Sequence, residues 1–439
     1  MNSVLPEVNY SDSLLILQAE SFSMSSSVII IGGGVVGQSC AWFLQRSGHE
    51  VTLIDQGDLQ GSCSTGNAGY ICPSHVVPLA APGMVAKGMS MMLDPKAPFY
   101  IQPRLDRDLW RWVWLFMRHA NHRHLMRSRS SLAGMSVESQ NALEHILADT
   151  GIDASYARKG LLMACRSEKH LAREREESEH ARAVGLDVQV LSAAEVREMD
   201  PDLDLDVVGG VWYPGDTHLH PGRYLTGLRS KLVQAGVKMM PMTRVLSWGK
   251  HNGRIVSLQT DQGELAVDQV VLSTGAWSGD LARSLGLRLP VQGAKGYSFT
   301  LDRPPVMPRQ PFILADYKVA VTPMGDQLRF AGTLELAGTD LSVNPVRVAR
   351  ILEVVRECLP AFRDHDFSGI QPWSGLRPCS PDGLPYVGKW PGLENLTLAT
   401  GHAMLGMTLG AGTGQTVARM ISGEAVSSAW NVCRPDRFA

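Results

Sequence analysis

The sequence predicts an α/β fold in two parts, and three observations carry that prediction. A strand, a glycine turn, a helix and a second strand follow one another at residues 27–55. Mixed α/β patterning returns at 217–280, and from 290 to 335 the pattern switches to the alternation of antiparallel strands. In the opening unit, VIII is a continuous apolar run of the kind a parallel strand buried on both faces requires. GGGVVG follows it, then QSCAWFLQRSG with helical periodicity and a glycine stop at Gly48, then EVTLID as a second buried strand. Further on, MSVESQNALEHILADTG reads as an amphipathic helix and AREREESEHARAVG as a charged one with a solvated face, while KGLLMACRS and GGVWYPGD read as strands. PGRYLTGLRSKLVQAG is a helix, and VKMMPMTRV, RIVSLQT and DQVVLSTG are strands. KGYSFTL, YKVAVTP and QLRFAGTLEL alternate. The C-terminal stretch is rich in Gly and Pro before a closing helix at GTGQTVARMIS.

A chain of 439 residues favours two domains over one core. Its 44% hydrophobic and 19% charged residues are those of an ordinary globular protein. A net charge of -2 gives no electrostatic case for nucleic acid or an anionic membrane as the main partner. The seven cysteines are odd in number, scattered, and form no CxxC pair. That argues against a disulfide framework or structural zinc and for a reducing, cytoplasmic setting. The first residues carry no Lys or Arg and only the short apolar run LLIL, which does not make a secretory signal; Met24 competes with Met1 as the start. No stretch reaches the ~18 apolar residues of a membrane-spanning helix.

Gly32, Gly34 and Gly37 spell G-x-G-x-x-G between a strand and a helix. The first glycine allows a tight turn, the second lets backbone approach a pyrophosphate, and the third lets helix and strand pack closely, with Val36 in the first helical turn. Asp55 ends the second strand, where a carboxylate accepts from ribose hydroxyls and repels a 2′-phosphate. Three further features favour FAD over NAD. Small residues crowd the loop Ser64, Thr65, Asn67, Ala68 and Gly69. A strand ends at Thr243–Val245, so Val245 offers a backbone N–H to adenine. A strand-to-helix turn follows at Thr274, Gly275 and Trp277.

With these residues in view, the chain resembles the D-amino acid oxidase-like FAD-dependent oxidoreductases, nearest the bacterial D-amino acid dehydrogenase small-subunit group. The stretches that carry the resemblance are IIGGGVVGQSCAWFLQRSGHEVTLID, STGNAG, AKGYSFT, DYKVAVT, SGLRPCSPDGLPYVG and GHAMLGMTLGAGTGQ, spread from residue 27 to 425. The resemblance implies a Rossmann-like FAD-binding domain from discontinuous segments (27–90, 217–285, 380–430). It also implies a substrate domain with a mixed, mostly antiparallel sheet (91–216, 286–379), residues 1–26 being an N-terminal extension. It further implies non-covalent FAD and oxidation of a D-amino acid to its imino acid, with a hydride passing from Cα to flavin N5. The imino acid then hydrolyses to a 2-oxo acid, and a quinone or the respiratory chain is a possible electron acceptor.

Such chemistry needs the substrate carboxylate fixed and charge on the flavin stabilised. Arg377, in GLRP, matches the family's substrate-anchoring arginine, and its planar fork suits a carboxylate. Tyr317 and Tyr297 are candidates to line the pocket. Gly401, His402, Leu405, Gly406, Met407 and Thr408 are candidate flavin contacts, the repeated glycines admitting backbone to the ring system and the helix near Thr408 aiming N–H groups at it. Cys379 raises covalent attachment as an alternative, which nothing in the spacing supports; a small buried hydrophobe is the better reading. In DLWRWVWLFMRHANHRHL, Trp110, Trp114 and Met117 share one side at helical spacing and read as a packing face, with peripheral contact at the inner face of the membrane as the alternative. His119, His122, His124, His218 and His220 have no carboxylate or Cys placed to complete a metal site. Two other readings stay open: a cyclic or N-substituted substrate such as D-proline, hydroxy-D-proline or sarcosine, and a non-catalytic flavin electron-transfer subunit.

Overall fold

Two sheets divide the work of the chain. The structure, a computed structural model, describes residues 25–91, 99–102 and 104–439; the choice between Met1 and Met24, and most of the 1–26 extension, lie outside those residues. The first sheet has six strands in the order Tyr386–Trp390, Leu393–Thr400, Gln269–Leu272, Ser27–Ile31, Glu50–Ile54, Lys238–Met240. All neighbours run parallel except the C-terminal hairpin Tyr386–Trp390/Leu393–Thr400. Ile29, Ile30, Val270, Val271, Leu396 and Leu398 are buried, as strands covered on both faces must be.

The helices Val35–Arg46 and Gly406–Ser422 lie together against this sheet. Their contact is made by glycine: a Cβ on Gly414 would sit 2.5 Å from the Ser39 carbonyl carbon, and one on Gly410 would press on Val35. The helix His122–Thr150 crosses the same bundle, where the Gly412 N–H donates to Ser139 Oγ at 2.9 Å. This helix packs with the first sheet, and so does Leu115 of Arg107–His119, while the strands Leu161–Cys165, Gln189–Ser192 and Gly209–Tyr213 join the other sheet.

The second sheet is mixed and mostly antiparallel. Its main path runs Trp373–Cys379, Gln292–Asp302, Gln327–Leu336, Val319–Met324, Phe312–Leu314, Leu161–Cys165, Gly209–Tyr213, Gln189–Ser192, and Phe99–Ile101 adds to Gln327–Leu336. One face is covered by the helix Pro345–Cys358, through Ile351, Val354 and Val355 against Tyr297, Phe299 and Phe330. The other face looks toward the loop at 64–69.

Two sequence expectations change. VKMMPMTRV is not one strand: Lys238–Met240 ends before Pro241, and Val245–His251 starts a separate three-stranded antiparallel sheet with Arg254–Thr260 and Gly263–Ala266. Met242 takes φ 51 in the turn between them. The aromatic helix Arg107–His119 packs by the side opposite to the one expected. Leu109, Trp112 and Leu115 are buried, while Trp110, Trp114 and Met117 are 62%, 50% and 48% exposed. Arg107, Asp108, Arg111 and Arg118 share one side, and the apolar side is wide enough to hold two stripes, so periodicity does not say which of the two faces the core.

Candidate functional site: a cofactor cradle facing a sheet with unpaired cations

The turn at Gly32–Gly37 is built for close approach. Gly32 has φ 106 and lies against the Ser273 carbonyl, and a Cβ on Gly37 would collide with the Gly32 carbonyl. The helix that follows has Gly34 at its N-cap, which brings no side chain to cap it, so apart from Val35 its first amides remain open to an anion. Ser64 Oγ accepts from the Val35 N–H at 3.2 Å, which ties the 64–69 loop to the helix start. Asp55 uses each carboxylate oxygen once, accepting from Gly33 N–H and Gly57 N–H at 2.7 Å. Its carbonyl takes the Thr243 N–H at 2.7 Å, so the connection leading to Val245 passes beside Asp55. Val245 itself pairs with Thr260 at the start of its strand. Thr274, Gly275 and Trp277 form the turn after Gln269–Leu272, with Thr274 Oγ1 and Ser278 Oγ 3.0 Å apart.

Within the 64–69 loop, Asn67 N–H goes to the Ser64 carbonyl at 3.2 Å and Gly69 N–H to Asn67 Oδ1 at 2.8 Å. The amides of Gly66 and Ala68 have no acceptor among the described residues. The loop's carbonyls face the second sheet: Ser298 Oγ donates to Gly66 O at 2.8 Å, and Arg329 Nη1 donates to Thr65 O and Asn67 O at 2.9 and 2.7 Å.

The C-terminal candidates divide. The helix Gly406–Ser422 starts after Leu405 without a capping side chain, so the amides around Gly406 and Met407 are free to act as donors. Gly401, at φ 78, packs on the Tyr386 ring. His402 is turned into the interior: its Nε2 lies 2.9 Å from Thr413 Oγ1, and burial pulls its pKa down to about 3. Thr408 Oγ1 accepts from the Cys72 N–H at 3.1 Å and so braces the strand Tyr70–Ile71. The glycines at 410, 412 and 414 serve helix packing, not the approach of backbone to a ring, which corrects the sequence reading.

Alternation along Gln292–Asp302 settles the tyrosines. Ser298 faces the loop at 64–69 and so does Gly296, on which the Arg377 guanidinium lies. Tyr297 takes the opposite face, buried under the helix Pro345–Cys358, with its hydroxyl donating to Glu335 Oε2 at 2.9 Å. Tyr317 donates to Glu357 Oε1 at 2.7 Å and accepts from Arg166 Nη1 at 3.0 Å, also on that outer side. Neither tyrosine is brought to Arg377; both are held by carboxylates.

Arg377 is the notable group on the near face. It donates from Nη1 to the Thr333 carbonyl at 2.9 Å, meets no carboxylate among the described residues, and desolvation pulls its pKa down. Thr333 is a β-branched residue at φ 64, in the bulge where Gln327–Leu336 slips register against Gln292–Asp302, and its Oγ1 has no partner. Such strain persists only where the surroundings impose it, and it concentrates at functional sites. The Trp373 indole lies over Gly66 and Gly375 on the same face. Arg329, Thr333 and Trp373 escaped the sequence reading; an Arg inside an otherwise apolar strand, QLRFAG, was the available signal.

Cys379 is fully buried with Trp112 and Ala294, and burial pushes its thiol up to about 12, a poor state for attachment to a ring. Of the histidines, His124 donates to the Asp382 carbonyl at 2.8 Å and His220 caps the helix Pro221–Gln234. A different trio, Cys72, His75 and Asp216, has its ligand-type atoms within 4.8 Å of one another. Burial pushes Asp216 up to about 7 and pulls His75 down to about 4, which favours the neutral form of each group.

A glycine turn under an uncapped helix, a second uncapped helix and a ribose-type carboxylate together define a dinucleotide-binding oxidoreductase cradle. Comparison with known proteins narrows the class. Residues 27–420 match the DAO family, described as FAD dependent oxidoreductase. The chain is 33% identical over 404 residues to the D-amino acid dehydrogenase of Vibrio atlanticus (strain LGP32), covering 91% of this chain and 96% of that one. It is 33% identical over 425 residues to the D-amino acid dehydrogenase of Paramagnetospirillum magneticum (strain ATCC 700264 / AMB-1), covering 94% and 98%. Among solved structures, glycine oxidase from Geobacillus kaustophilus superposes with a TM-score of 0.76 at 23% identity over 94% of this chain and 98% of that one. L-proline dehydrogenase from P. horikoshii does so at 0.72 and 19%, over the same shares. The chain belongs to the DAO family of FAD-dependent oxidoreductases, and FAD is its cofactor. The open amides at Gly34, Gly66, Ala68 and Gly406 fit that group.

Proposed function

We propose that the protein oxidises a D-amino acid to its imino acid, which water converts to a 2-oxo acid. The carrying observation is Arg377, a half-buried guanidinium whose one hydrogen-bond partner among the described residues is a carbonyl, on the sheet face that looks at the cofactor loop. A half-buried cation without an anion is still partly stripped of water, and a substrate carboxylate offsets that cost through two charge-assisted hydrogen bonds. FAD, when bound, supplies the two-electron acceptor for the hydride from Cα. Arg377 fixes the carboxylate, Thr333 holds the guanidinium through its carbonyl, and Trp373 gives the site an apolar wall. The names of the relatives favour the D configuration. The test is anaerobic mixing of the yellow protein with a panel of D- and L-amino acids that includes D-alanine, hydroxy-D-proline and sarcosine. Loss of flavin absorbance with D-amino acids is expected; a flavin that stays oxidised with every amine would sink the reading and favour an electron-transfer subunit.

For the electron acceptor, a quinone in an anionic bilayer fits the outer surface. No helix among the described residues is long and apolar enough to cross a membrane. Trp110, Trp114 and Met117 nevertheless stand exposed on Arg107–His119, with the Arg118 guanidinium 4.7 Å from the Trp114 ring centre. Arg107, Arg123 and Arg127 are exposed nearby. Tryptophan beside arginine suits the headgroup layer of an anionic membrane, a local patch that a net charge of -2 conceals. Co-sedimentation with phosphatidylglycerol vesicles should be lost in Trp110→Ser/Trp114→Ser, with dye-coupled turnover unchanged. Binding that survives the double substitution would remove this helix from the contact.

A further inference from the structure

Arg329 is a second cation without an anion. It lies within the strand Gln327–Leu336 at 7% exposure, and no ion pair or carboxylate hydrogen bond is made to it among the described residues. Its Nε donates to Thr300 Oγ1 at 3.0 Å, and its Nη1 grips the carbonyls of Thr65 and Asn67. Burial alone acts on its pKa, lowering it to about 10, so the side chain is still charged at neutral pH.

The choice of carbonyls matters. No described peptide bond is cis, so each N–H points opposite to the C=O of its own unit. The Thr65 carbonyl shares its peptide with the Gly66 N–H, and the Asn67 carbonyl shares its peptide with the Ala68 N–H. These are the two loop amides without a protein acceptor. Arg329 thus stands behind two peptide dipoles and strengthens the donors on their far side, as charge does along any hydrogen-bonded chain. Holding the loop alone would not need charge: Ser298, a neutral hydroxyl, holds the Gly66 carbonyl between them at 2.8 Å.

We propose that Arg329 is a positioning residue whose charge, relayed through these two peptides, makes the Gly66 and Ala68 amides an electropositive pair that favours reduced over oxidised FAD. This rests on residues 64–69 being the cofactor loop and is independent of which amine is oxidised.

The test is the midpoint potential of the holoenzyme, measured by dye equilibration without any amino acid. Arg329→Gln, which keeps hydrogen bonding and removes charge, should lose about tenfold in preference for the reduced form, roughly 30 mV for two electrons. Arg329→Lys should fall by about half as much, near threefold or 15 mV. Ser298→Ala, which deletes the neutral grip, should leave the potential unchanged. A folded Arg329→Gln with the wild-type potential overturns the proposal; if that variant does not fold, Arg329→Lys at the wild-type potential overturns it. Ala68→Pro separates the two layers of the argument. It removes one amide donor and should weaken FAD retention on gel filtration; full retention at unchanged potential would show that the loop does not serve FAD.

Discussion

The two faces of the nine-stranded sheet treat buried charge by opposite rules. Under the helix Pro345–Cys358, Tyr297 is bound to Glu335 and Tyr317 to Glu357, and Lys295 is paired with Asp340 at 2.6 Å. On the face toward the loop at 64–69, Arg329 and Arg377 donate, among the described residues, only to carbonyls and a hydroxyl. The strands are shared, so the contrast is not one of fold. Where charge is matched within the chain, the matching holds the structure. Where it is left unmatched, we assign the charge a role outside the structure's own ion pairs: Arg377 toward a substrate carboxylate and Arg329 toward the amides behind the peptides it grips.

The comparison is most exposed at Arg377. Arg377→Met should lower kcat/KM by about 10²–10³-fold, the range for losing a buried charge-assisted pair, with FAD still bound. The same variant should unfold at higher denaturant, by roughly 1–2 kcal/mol, because an unmatched cation gives way to an apolar side chain. Wild-type substrate affinity, or lost stability, would break the rule for that face.

Asp216 is the converse, a buried carboxyl with no cation paired to it among the described residues. Ser74 supplies its N–H at 3.1 Å and its hydroxyl at 2.5 Å, and Cys72 and His75 are its titratable neighbours. Its folded pKa of about 7 lies above the ordinary 3.8, so the folded state retains a proton that the unfolded chain has released. Stability should therefore fall as pH rises from about 4 to 7, by on the order of 2–4 kcal/mol from this group. Denaturant titrations across that window should show the slope flattened in Asp216→Asn.

Smaller effects belong to the matched face. Tyr297→Phe leaves Glu335 without its phenol and should cost about 1–2 kcal/mol of stability while kcat/KM stays within about twofold. Tyr317→Phe, at a half-exposed pair, should change stability by no more than about 0.5 kcal/mol, read from the same melts. A large loss of kcat/KM in either would return that tyrosine to the site.

Legibility followed the range of the interaction. The unit from Ser27 to Asp55 was readable because its turn, helix and strands are set by neighbours in sequence. Arg377 was readable because GLRP is a motif. The side each tyrosine takes was not: alternation separates Tyr297 from Ser298 but does not say which set meets the loop at 64–69. The strands Tyr386–Trp390 and Leu393–Thr400 were hidden by the glycines and prolines around them, and Gln269–Leu272, which pairs with the second of them, is over a hundred residues away. Arg329 was hidden because a lone charge in a strand ordinarily marks a wet side, and only tertiary contact shows it sealed.

The glycine contact between Val35–Arg46 and Gly406–Ser422 has a consequence for biogenesis. One wall of the cradle leaves the ribosome long before the wall that closes on it, because the whole of the second sheet is encoded between them. Until the C-terminal helix arrives, the surface of Val35 and Ser39 that it seals stays open to water and to other nascent chains, and contacts this distant in sequence form slowly. A stop codon before Gly406 should therefore yield a chain that aggregates and stays colourless, even though it retains the whole glycine turn.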